Sequence, residues 1–313
     1  MPLRATHIRS CQHKAFGMKW TVAVLLSLGF VVSNGPLAGQ SVTRLLTVEG
    51  FLTPESVVVD PATGQAYVSN MASPPETYWA DTGKGFISRL RPDGTLDALR
   101  WVESTEAFVL NQPKGMAIHD GKLYVADNTR VLVIGLADAR PLAALEVAGA
   151  RRLNDMATDG QAVYVSDTGT GNILRLDRSG QGRHELVAHV DGVNGITLHQ
   201  DQLYAVSWDL GELFEVPLVG GQPPKPFGLE QYFTHLDGIE SMPDGSFLVT
   251  DFTGNRVAAI STDRRQVRTL YELTTPADLG IDRARMRIYV PQLESHRVVI
   301  FSLTHQSSPA PAP

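Results

Sequence analysis

Arg152-Leu153-Asn154-Asp155-Met156-Ala157-Thr158-Asp159-Gly160-Gln161-Ala162-Val163-Tyr164-Val165-Ser166-Asp167 reads as two short strands joined by an Asp-Gly turn. The turn dipeptide lies between two apolar runs, and glycine supplies the positive φ that a tight hairpin needs. The phrase recurs along the chain. Its openings are Pro54-Glu55-Ser56-Val57, Pro113-Lys114-Gly115-Met116, Leu153-Asn154-Asp155-Met156, Val193-Asn194-Gly195-Ile196, Leu236-Asp237-Gly238-Ile239 and Pro276-Ala277-Asp278-Leu279. Their second residues are spaced by 59, 40, 40, 43 and 40 positions. A period of about 40–45 residues with four strands per unit is that of a propeller blade. The expected fold is therefore all-β, a six-bladed β-propeller.

The second strands also end alike, as in Tyr67-Val68-Ser69-Asn70, Tyr124-Val125-Ala126-Asp127, Tyr164-Val165-Ser166-Asp167 and Leu248-Val249-Thr250-Asp251. A third strand follows each, and the fourth strands are weaker, as in Leu142 to Val147. The run Ser41 to Glu49 looks like a strand ahead of the first repeat, whereas the last repeat stops after its third strand near Leu303. The N-terminal strand is thus expected to complete the last blade, which closes the circle and removes an exposed edge. The long first spacing comes from an insertion in blade one, Met71 to Gly85, between its second and third strands.

The chain has 313 residues, 43% of them hydrophobic, enough for a sizeable core, and a formal net charge of −6. That balance argues against a nucleic-acid partner, which calls for a basic face. The N-terminus carries Arg4, Arg9, Lys14 and Lys19 ahead of an uncharged run, Trp20 to Val32, of signal-peptide length. Small residues at Leu37-Ala38-Gly39 are placed for cleavage, and Gln40 follows rather than an acylatable cysteine. The expected organisation is an export signal over 1–39, the propeller over 40–304 and a disordered tail over 305–313. An uncleaved anchor is the alternative for the first segment, and Met18 an alternative start. The mature protein is expected to be secreted or periplasmic, without stable membrane association. The only cysteine, Cys11, falls inside the removed segment, so the mature chain has no disulfide.

In a propeller the first strand of each blade lines the central channel, and the end of the antiparallel second strand lies beside its start. One channel mouth should then hold Glu55, Lys114, Asn154, Asn194, Asp237 and Ala277, with Asn70, Asp127, Asp167, Ser207, Asp251 and Gln292 as neighbours. The blade-one insertion leaves from the same face and is a candidate lid, with Tyr78 and Trp79 as its contacts. Glu55, Asn154, Asn194 and Asp237 offer oxygen and neither sulfur nor imidazole. Two carboxylates and two amides in a funnel suit a hard divalent cation, most of all Ca²⁺. Without a cation, Glu55 and Asp237 repel each other and one pKa rises. Lys114 either binds an anionic group or pairs with Glu55, and Trp208 is placed to wall the pocket.

The pattern Pro54-Glu55, Arg152-Leu153-Asn154-Asp155, Asn194-Gly195 and Asp237-Gly238 resembles that of the regucalcin/gluconolactonase (senescence-marker-protein) family, over roughly Ser41 to Leu303. The resemblance implies a six-bladed metal-dependent lactonase. It implies Glu55, Asn194 and Asp237 as metal ligands, Asn154 as a substrate or metal contact, Arg152 as a substrate-binding residue and Asp237 as general base.

The expected activity is metal-assisted opening of a small-molecule lactone or related ester. Lys114, Arg152, Asn154, Trp208, Tyr78 and Trp79 would orient the substrate. The alternative is a non-catalytic propeller that binds a protein or glycan and uses its cation structurally. Asn and Asp at such positions also cap turns without any ligand. The repetition of Asp127, Asp167 and Asp251 points to that structural role, through hydrogen bonds to the next turn. His235, two residues before Asp237, is either incidental or an aid to proton transfer.

Overall fold

A computed structural model describes residues 40–177, 182–218 and 221–305. The expected export signal, with Cys11, and the tail beyond His305 lie outside the described residues. Six four-stranded antiparallel sheets make up the described chain. Among the described residues there is no α-helix, and hence none long and apolar enough to cross a membrane. Two single 3₁₀ turns, Pro75–Thr77 and Glu230–Tyr232, lie in loops.

Blades one to five are up-and-down meanders whose inner strands are Pro54–Val59, Pro113–His119, Leu153–Thr158, Val193–His199 and Leu236–Ser241. The sixth takes Gly280–Asp282, Arg287–Gln292 and Arg297–His305 from the end of the chain and Gln40–Glu49 from its beginning. The seam runs antiparallel from Gln40 opposite His305 to Glu49 opposite Arg297, with one irregularity between Arg44 and Leu46. The N-terminal strand is the outermost of that sheet, as the repeat arithmetic requires. The third strand continues to His305, one residue past the expected boundary.

Alternation along each strand puts apolar side chains on both faces, because each blade packs against two neighbours. The core therefore lies between blades. Tyr67, Ile87, Met116, Leu123 and Leu132 fill the space between blades one and two. Val57, Val68, Leu90, Tyr289, Val298 and Ile300 fill the space between blades six and one. These side chains are almost wholly buried, and each contributes about 1.5–3 kcal/mol of transfer free energy.

One irregularity is repeated. The register of the inner strand slips between Pro54 and Val57, Pro113 and Met116, Leu153 and Met156, Val193 and Ile196, and Leu236 and Ile239. Each is a β-bulge at the second and third residues of the repeat. A bulge bends the strand and re-aims its side chains, and such bulges cluster next to functional sites. Here they turn the second residue of each repeat toward the channel mouth.

Candidate functional site

The bulges bring residues from five blades around one cavity of about 340 Å³. Glu55, Lys114, Asn154, Asn194 and Asp237 all line it, together with Arg152, Trp208 and the insertion residues Tyr78 and Trp79. Every residue expected to bind metal or substrate thus lines one cavity, although the ring residues among them span 183 positions, 55 to 237 inclusive. Blade six contributes no polar group here, since its equivalent residue, Ala277, packs with Met71 and Leu293.

The second residues of blades one, two, three, four and five are all buried, from Lys114 at 3% exposure to Asn154 at 7%. Burial pushes the Glu55 carboxyl well above the usual carboxylate range, and the nearby Asp237 and Asp278 push it further. One oxygen of Glu55, Oε2, is buried with no hydrogen-bond partner. Burial likewise raises Asp237 to about 7, against a hydrogen bond from Asn194 that lowers it. Asn154 donates from Nδ2 to the Thr168 hydroxyl at 3.2 Å, which leaves its carbonyl oxygen as a free acceptor.

Lys114 has an employment that the sequence did not disclose. Its Nζ donates to the carbonyls of Tyr78 at 2.9 Å and Gln112 at 3.2 Å, and lies 3.9 Å from the centre of the Trp79 indole. It forms no ion pair with Glu55 among the described residues. Burial lowers its pKa to about 8, opposed by the charge of Glu55. It thus fastens the insertion to blade two. Further ties come from Asn111 and Asn128, whose amides donate to Asp81 Oδ1, and from Gln112, which donates to Ser73 and Thr82. Arg152 also approaches Trp79, its guanidinium carbon 5.6 Å from the ring centre.

The second-strand ends do the expected structural job on the next turn, where Asp167 accepts from the Gly169 amide and the Thr170 hydroxyl and Asp251 from the Gly254 amide, and they hold an earlier turn as well. Asp127 accepts from the amides of Asn111 and Gln112, Asp167 from Arg151 and Arg152, and Asp251 from Thr234 and His235. These amides precede the inner strand of the same blade, so each aspartate anchors the entry loop that presents the channel residue. Asn70 accepts from Leu52 in the same sense, while Ser207 donates to Asp191 O. His235 does not line the cavity. It stacks on Trp208 at 4.7 Å and binds the Thr253 hydroxyl, which makes it a support for the wall.

The third residue of the repeat passed unnoticed in the sequence. Asp155 accepts from the amides of Met156 and Ile196, both at 2.7 Å, which clasps blade three to blade four. Asp278 accepts from the Ser56 hydroxyl at 2.6 Å and clasps blade six to blade one. Both carboxyls are held well above their ordinary pKa, first by burial and then by neighbouring carboxylates. The signal was present: an Asp after the channel residue in two repeats exactly half the circle apart, and Gly or Ser in the others. Phe252, Leu293, Met71 and Thr168 also line the cavity and share a mark that went unread, since each directly follows the end of its second strand; Asp209 lines it too.

No protein-family model matches this chain, and no curated protein does. The resemblance to the regucalcin/gluconolactonase family therefore gains no support from sequence families. Solved structures do match. The virginiamycin B lyase of Staphylococcus aureus aligns with TM-score 0.58 at 12% identity, over 84% of this chain and 99% of that one. A Bacteroides thetaiotaomicron protein of unknown function aligns with TM-score 0.63 at 12% identity, over 85% and 76%. A streptogramin B lyase gives TM-score 0.55 at 11% identity, over 85% and 98%. At such identity the likeness is one of fold, and it defines the class: a six-bladed β-propeller whose fold is shared with enzymes.

Proposed function

We propose that this chain is a hydrolase that opens a lactone or related ester at the channel mouth, in the manner of the gluconolactonase type. The observation that carries the reading is the buried, unpartnered Glu55 Oε2 beside Asp237, Asn154 and Asn194. A buried charge without a partner is costly, so an oxygen set of this kind calls for a cation. Glu55, Asp237, Asn154 and Asn194 would hold it, and their all-oxygen chemistry fits Ca²⁺. Bound there, a divalent cation supplies Lewis-acid polarisation of a carbonyl.

The chain's own groups do the rest. Asp237, at the cavity floor, would take a proton from water as it adds to the carbonyl carbon. As the acyl C–O bond breaks, the same proton returns to the leaving oxygen. Asn194 fixes the Asp237 carboxylate through its hydrogen bond. Arg152, Trp208 and the insertion with Tyr78 and Trp79 hold the substrate and limit access of bulk water. The export segment read from the sequence would place this chemistry outside the cytoplasm. The names of the structural neighbours, which are lyases acting on other molecules, support an enzymatic use of this fold without indicating the reaction.

A binding propeller without turnover is the second reading. One observation favours it: the solved structures that share the fold do so at 11–12% identity, and a shared propeller fold carries no activity with it. The two readings separate in one experiment, in which lactone and aryl-ester hydrolysis is followed before and after EDTA and after added Ca²⁺. The hydrolase reading expects EDTA to abolish turnover, Ca²⁺ to restore it, and Asp237→Asn to lower kcat by about 10²–10⁴-fold. Metal-dependent stability with no turnover on a broad panel would establish the binding propeller instead.

A further inference from the structure

The cavity is divided by chemistry in a way that the hydrolase reading does not use. Its floor is polar and buried. Its rim is an apolar belt: Trp208 lies 5.3 Å from Phe252, and Phe252 packs on the Met71–Ala277–Leu293 cluster, as does Tyr78. Trp79 follows on the insertion. The belt thus runs from blade four through blades five, six and one. It is broken at blades two and three, where Lys114 and Arg152 approach the Trp79 indole.

Trp208, Phe252, Tyr78 and Trp79 are only half-buried. Packing alone would have covered them, since exposed aromatic area forfeits about 25 cal/mol per Å². Arg152 is exposed, and among the described residues its guanidinium has no hydrogen-bond or ion-pair partner, although its backbone amide binds Asp167. Of the acidic residues that line the cavity Asp209 is the one outside the floor, while Glu294 and Glu76 lie near Tyr78. Asp209 is exposed and makes no ion pair with Arg152 among the described residues. Hydroxyl recognition is thin on these walls. The Thr168 hydroxyl already donates to Val193 O at 2.6 Å and accepts from Asn154. A polyhydroxylated lactone would bury hydroxyls against indole and phenyl faces with few partners, which is costly. The volume, 340 Å³, holds about eleven waters at liquid density, the space of one or two fused rings with a substituent.

We propose that the substrate of this site is an aryl lactone or aryl ester bearing a carboxylate. The carbonyl goes to the Glu55–Asp237 floor, the aromatic body packs on the Trp208–Phe252–Trp79 belt, and the carboxylate meets Arg152. The proposal names the substrate class of the hydrolase reading and rests on it for the reaction, but its recognition is measurable without turnover.

The test is binding of inert probes by calorimetry or tryptophan quenching: 2-naphthoate, its neutral amide, and gluconate. The expected result is that 2-naphthoate binds about tenfold more tightly than the amide, the scale of one charge-assisted hydrogen bond, and more tightly than gluconate. Arg152→Gln should remove the acid-over-amide preference while keeping amide affinity. Trp208→Ala should weaken both aromatic probes. Equal affinity for acid and amide, or tighter binding of gluconate, overturns the proposal in the unmodified protein, whatever the variants do. Turnover of dihydrocoumarin and gluconolactone is measured in parallel. Binding as expected with no turnover sinks only the hydrolase reading. Turnover of gluconolactone with no aromatic preference sinks only this one.

Discussion

Glu55 and Asp237 set the chemistry at the scale of single residues. Both carboxyls are raised by burial, so the native protein binds protons that the unfolded chain has already released. Stability must then fall with pH wherever the native state holds the extra proton. For Asp237 the window runs from its ordinary 3.8 up to about 7. Lys114, lowered to about 8, acts in the opposite sense only above that value, so it does not disturb the window. The expected outcome is a melting temperature of metal-free protein that declines as pH rises through this range, with added Ca²⁺ reversing the decline at its upper end. A flat profile with no response to Ca²⁺ would show that the two carboxyls do not share an ion. The glycines nearby are equally constrained. A Cβ on Gly238 would lie 2.5 Å from Asp278 Oδ1, and the same distance separates one on Gly115 from Asp155 Oδ1. Gly238→Ala should therefore cost about 1–3 kcal/mol, by displacing the Asp278 clasp, and chemical denaturation would read it.

At the scale of the element, the unit is a bulged inner strand with an entry loop pinned by the end of its neighbour. Asp127 shows the coupling best. It accepts two amides and pairs with Arg130 at 3.0 Å while itself fully buried. Asn111 and Gln112, which it pins, also hold the insertion. Asp127→Ala leaves those buried amides without an acceptor and the half-buried Arg130 without its carboxylate, so a loss of about 1–3 kcal/mol is expected. Proteolysis should then cut first within 71–85, because the insertion loses its anchor. Protection equal to that of the unmodified protein would detach the insertion from this loop. Much of the element was legible beforehand. Six strand openings, the shared second-strand endings and the site of the insertion all follow from spacing and turn chemistry. The bulges did not, because a register slip is a property of two strands and neither carries its mark alone. The role of Lys114 was hidden for a related reason: its partners are backbone carbonyls, which every residue has. The aspartate at the second-strand end was read as holding the next turn, which Asp167 and Asp251 do; that it also pins the entry loop earlier in the same blade was not legible.

For the whole molecule, the closing strand is the decisive element. Val48 packs with Val298 and Ile300 across the seam, and Gln40–Glu49 would leave an open strand edge if removed. A chain lacking residues 40–49 should lose its cooperative melting transition and self-associate, which size-exclusion chromatography would detect. A monomer of unchanged melting temperature would show the seam to be dispensable. The closure itself was legible from arithmetic, since one strand was surplus at the start and one missing at the end. The floor of the cavity was legible too, because its residues recur at one repeat position. Its belt was legible in part, since Met71, Trp208, Phe252 and Leu293 each directly follow the end of a second strand, a recurring position of which only Trp208 was read as lining the pocket.

The seam has a mechanical consequence. Gln40 and His305 sit opposite each other at one rung, and Glu49 and Arg297 at the far rung. A load applied at the two ends of the folded chain therefore peels the pair apart one rung after another instead of sliding both strands at once. The blades joined by hairpins can share tension along their connections, whereas this junction meets it a single hydrogen bond at a time. Under pulling, the circle should open at its seam at low force, before any blade unravels.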